Sequence, residues 1–80
     1  MTTMDKVRIV KEHFERSAEW NRATIAREER AILEDAKCER VAIGSIEGSV
    51  RKIKELKVQL GAYEEVLRHL NDILDGDDND

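Results

Sequence analysis

The sequence predicts an all-α fold: an antiparallel helical hairpin of two long helices that assembles as a homodimeric four-helix bundle or coiled coil. Three observations predict it. Charged residues make up 40% of the chain and proline is absent, a composition typical of long helices. From Ile53 onward, apolar residues recur in alternating steps of three and four, which keeps one helical stripe apolar. The 80-residue chain has a single cysteine, so no internal disulfide can reinforce a core that is marginal at this size. Association with another chain is the remaining way to bury more surface.

The first helix is expected from about residue 4 to about 41. Thr2 or Thr3 caps it, and Asp5 sits favourably in its first turn. Its apolar face reads Val7, Val10, Phe14, Ala18, Asn21, Ile25, Glu29, Ile32 and Ala36. The successive four-residue steps from Val10 to Phe14 to Ala18 form a stutter, which locally unwinds a left-handed supercoil. The loop is expected at about 42–45, with Gly44 as a left-handed helix end and Ser45 as the next cap. The second helix then covers about 46–75. Its stripe is Ile46, Ile53, Leu60, Leu67 and Leu74 with Leu56, Tyr63 and Leu70, interrupted by Ser49. Residues 1–75 thus form one hairpin, and 76–80 form an acidic, flexible tail.

A short connection between long helices makes them antiparallel. Towards its end the second helix widens its apolar face with Val66 and Ile73, so the thickest core is expected at the end carrying the termini. A lone hairpin covers one side of each helix, whereas two hairpins cover more. The expected oligomer core is Phe14, Ile25, Ile32, Ile53, Leu56, Leu60, Tyr63, Leu67 and Leu70.

Function is less legible. The net charge is −4, and residues 45–80 carry the acidic excess, so global charge gives no argument for nucleic acid or membrane. No apolar run approaches membrane length and no leader pattern opens the chain. A cytoplasmic protein is therefore expected. Trp20 lies off the main stripe of the first helix, on a face with Ile9, His13, Arg16 and Arg27. Tryptophan and arginine are enriched where proteins meet, so this face is the candidate partner-binding surface, for another protein or another subunit. Ser49, Arg51, Lys52 and Lys54 open the second helix, where backbone donors and cations suit an anion, but no phosphate-loop spacing accompanies them.

Single histidines give no ligand set for a metal, and no cofactor is implied. Cys38 lacks a base and an orienting group, so catalysis is not expected. The function expected is a non-enzymatic helical module that pairs with itself, docks on a partner protein and modulates or inhibits it. The alternatives are a nucleic-acid-binding hairpin dimer, or a binder of a small anion such as a nucleotide at the seam between subunits.

Overall fold

The computed structural model describes residues 1–38 and 42–78, with side chains through 76. It is a two-helix hairpin, α1 Thr3–Lys37 followed by α2 Ile43–Asp78. The rod measures 62 × 17 × 15 Å.

α1 starts where its capping chemistry places it. The Asp5 amide donates to the Thr2 hydroxyl and the Thr2 amide donates to the Asp5 carboxylate, both at 3.1 Å. This reciprocal pair satisfies two donors that the first turn would otherwise leave free. The Thr2 backbone donor, then the Thr2 hydroxyl interaction, holds the Asp5 carboxyl below its ordinary value, and nearby Arg8 lowers it further. A group with a depressed folded value stabilises the fold above its unfolded pKa and loses that contribution as pH falls through the folded one. Relative to their intrinsic exchange rates, the first-turn amides should therefore lose protection as pH drops below the usual carboxylate range. Asp5→Asn should remove that pH dependence, as read by hydrogen exchange.

The helix bounds differ from those expected. α1 ends at Lys37, with Cys38 in extended backbone, rather than near 41. Residues 39–41 of the expected helix lie outside the described residues. α2 begins at Ile43 rather than 46. Gly44 is inside its first turn and no described residue has a positive φ, so Gly44 is not a left-handed helix end. Nor is Ser45 the cap. Its hydroxyl donates across the hairpin to the Asp35 carboxylate at 2.7 Å, and the Ile46 amide bonds instead to the Ala42 carbonyl. Spending that hydroxyl on α1 lets the helix start one turn earlier and ties the two helices at the loop. At the other end α2 runs through Gly76 to Asp78. A glycine costs a helix only about 1 kcal/mol relative to alanine, and the docked Leu74 holds the turn before it. Of the expected flexible tail, residues 79–80 lie outside the described residues.

The core is thin and lies midway along the rod. Ile25, Ile53 and Leu56 form its buried cluster, with Ile32 and Leu60 packed against it. Phe14, Tyr63, Leu67 and Leu70 are only half-buried, and Phe14 and Tyr63 meet edge-on with ring centres 5.7 Å apart. The end with the termini is therefore not the thickest part of the core. At that end Leu74 is buried, but Phe14, Tyr63, Leu67 and Leu70 are not fully enclosed by two helices, whereas mid-rod encloses Ile25, Ile53 and Leu56 together with several small side chains. Ala18, Asn21 and Thr24 of α1 and Ser49 of α2 are all buried.

The α1 face also departs from expectation. Glu29 and Ala36 are exposed, while Thr24 is buried and Glu28 and Asp35 are half-buried. After the stutter the seam follows strict sevens: Phe14, Asn21, Glu28, Asp35. Thr24 tolerates burial because its hydroxyl donates to the Trp20 carbonyl at 2.8 Å. Asn21, 2% exposed, donates to the Gln59 side-chain oxygen at 3.1 Å and lies 3.5 Å from the Leu56 carbonyl. A buried asparagine in such a seam fixes register at a cost in stability. Asn21→Leu should raise the melting temperature yet give additional amide peaks from chains paired out of register. A single set of peaks would show that the register is held elsewhere.

Candidate functional site

Two flanks run the length of the hairpin, one on each side of the plane containing both helices. The Arg22–Glu64 ion pair, 3.2 Å, bridges the helices on one of them. Trp20 precedes Arg22 by two residues and Val66 follows Glu64 by two. Two residues turn a helix by about 200°, so Trp20 and Val66 both lie on the opposite flank. Val66 and Ile73 continue the heptad stripe of Lys52 and Gln59. Those two side chains reach over to α1, Lys52 to Glu28 at 3.4 Å and Gln59 to Asn21 at 3.1 Å.

This second flank carries the face picked out in the sequence. Trp20 is 60% exposed and Ile9 49%, and His13, Arg16 and Arg27 are also exposed. The structure adds α2 residues that the sequence reading had not joined to that face. Ile73 is 49% exposed, and Val66 and Leu70 are half-buried. Val10 beside them is also open to solvent. His13 stacks edge-on against Phe14, ring centres 5.5 Å apart, so the flank merges with the half-enclosed aromatic end of the core. The pairing of heptad positions with an antiparallel register was enough to find this continuity from sequence.

A second apolar patch sits towards the loop on the Arg22–Glu64 flank. Leu33, eleven residues on from Arg22, returns to its side of α1. Val50 shares the heptad position of Glu64. Leu33 and Val50 are exposed, and from Val50 a shallow groove lined by Ile46, Glu47, Arg51 and Lys54 extends over the outer side of α2.

The four anion candidates do not converge. Ser49 is 9% exposed and faces the seam, Lys52 pairs with Glu28 on one flank, and Arg51 and Lys54 line the shallow groove on α2 together with the Glu47 carboxylate. Among the described residues no group of His, Cys, Asp and Glu is placed to hold a metal ion. Cys38 is an exposed free thiol whose sulfur lies 3.5 Å from the Glu34 carbonyl. No helix among the described residues is long and apolar enough to cross a membrane.

What fold and surface define is a thin all-α hairpin with more apolar side chain than two helices can cover. Comparison with known proteins finds no matching family, no matching curated protein and no matching solved structure.

Proposed function

We propose that this chain is a non-enzymatic helical interaction module. Two hairpins pair as a four-helix bundle, and the dimer docks on a partner protein or assembly and modulates it, most simply by inhibition. One observation carries the reading: the hairpin leaves large apolar side chains exposed on both flanks, among them Trp20, Leu33, Val50 and Ile73. Scattered exposed apolar residues are ordinary, but clusters rimmed by charge mark contact surfaces. Two such clusters on opposite flanks supply one surface for self-pairing and one for a partner.

The area supports pairing. The chain exposes 6151 Å², whereas a compact monomer of its 9.2 kDa mass exposes about 4,900 Å². The excess, about 1,200 Å² per chain, would give a dimer interface of roughly 2,400 Å², within the range of obligate homodimers.

The test is isolation of the tagged protein from its native host, with mass spectrometry for protein, RNA and small molecules on the same sample. A stoichiometric protein partner, whose activity changes when purified dimer is added, is the expected result. Recovery of RNA or a nucleotide in its place would replace this reading with one of the two alternatives.

A further inference from the structure

The two flanks are not equivalent, and the difference assigns one of them. We infer that the Trp20–Val66–Ile73 flank is the homodimer seam, and that its occupant is a second copy related by a two-fold axis parallel to the helices. This rests on the homodimer reading above and adds to it the face and the orientation.

The orientation follows from register. Within one hairpin Glu28 lies level with Lys52 and Asn21 with Gln59, and Asp35 with Ser45. A two-fold parallel to the helices preserves height along the rod and lays α1 on α2 of the second copy. The hairpin's own register therefore carries across the seam. Ile9 then meets Leu70 and Ile73 of the second copy, and His13 meets Val66. Trp20 meets Ala62 and Gln59, the alanine leaving room for the indole.

Charge agrees with this arrangement. Nearer the loop the flank turns polar, and there Arg27 comes level with Glu55 of the second copy, to within about 3 Å of helical rise. Both are exposed, and among the described residues neither takes part in an ion pair within its own hairpin. A two-fold perpendicular to the helices would reverse height, and with full overlap would lay Val66 to Ile73 over Lys52 and Glu55. That pairs apolar with charged side chains along half the seam. The other flank lacks the match: its mid-rod is occupied by the Arg22–Glu64 pair, and a charged groove of Lys11, Glu15, Glu19 and Arg22 continues it. That flank is left for a different protein.

Disulfide trapping tests this. Two variants are made in the full chain with Cys38→Ser: Arg27→Cys and Glu55→Cys. Each is purified alone, and the two are also co-expressed. The expected result is a mixed disulfide dimer in the co-expressed sample under mild oxidation and in neither single variant, because Arg27 lies diagonally from its own copy. Sedimentation equilibrium on the same reduced samples separates the two claims. Dimers that do not trap in the mixture, or a single variant that traps with itself, would overturn the face and orientation while leaving the homodimer standing. Folded monomer at every concentration would overturn both.

Discussion

Leu56→Asp should leave the chain without a cooperative fold. Leu56 is 8% exposed and sits with Ile25 and Ile53 in the buried cluster. A polar group buried there without a partner costs roughly 2–7 kcal/mol, and the leucine contacts are lost as well. The whole stability of an eighty-residue domain is about 4–12 kcal/mol on a per-residue scale. The cluster has no second layer to take up the strain, because the rod is only two helices deep. Val58→Asp is the control: that side chain is 77% exposed on the same helix, so its melting should stay within about 0.5 kcal/mol of the parent. Helical circular dichroism against temperature reads both. If Leu56→Asp melts like the parent, the heptad seam is not the core.

How legible this was in the sequence depended on the residue. The seam of α2 could be read from Ile53 to Leu74, because Ile53, Leu56, Leu60, Leu67 and Leu74 follow one heptad pattern without competition, although both ends of the helix run past the expected bounds. Thr2 and Asp5 were readable for a similar reason, since a cap is a local motif. In the second half of α1 hydrophobicity alone does not mark the whole seam. Ile25 and Ile32 do pack in the core, but stepping by fours from them selects Glu29 and Ala36, which are exposed, while the neighbouring row of the seam runs through Glu28 and Asp35. Counting sevens from Phe14 gives both. Those acids are tolerated at the seam because each has a partner from α2, Lys52 for one and Ser45 for the other.

At Gly44 and Ser45 the reason is different. Their intrinsic preferences suit a loop and a cap, but a contact ten residues away in sequence outweighed them, and single-residue propensity is weak against tertiary contacts. Trp20 lies off the stripe, as its position in the heptad implies. Its continuity with Val66 and Ile73 needed the antiparallel register, which no single-helix pattern contains. What covers that flank was not legible at all, because a surface names its occupant only through complementarity.

Trp20→Ala should weaken association far more than it weakens the hairpin. Trp20 is 60% exposed within one chain, so little of its burial contributes to folding the monomer. What the hairpin does use at this position is the backbone, whose carbonyl accepts the Thr24 hydroxyl; alanine keeps that bond. Covering the rest of the ring in a seam is worth about 2–4 kcal/mol at roughly 25 cal/mol per Å². That is a factor of about 30 to 1,000 in dissociation constant, and a symmetric dimer loses the indole twice. The parent should therefore melt at a temperature that rises with protein concentration, as linkage requires for a dimer. The variant should sediment as monomer at concentrations where the parent is dimeric, and should regain parental helicity when concentrated. A variant whose melting temperature collapses equally at every concentration, with association of the surviving folded protein unchanged, would place Trp20 in the core of the single hairpin and remove it from any seam.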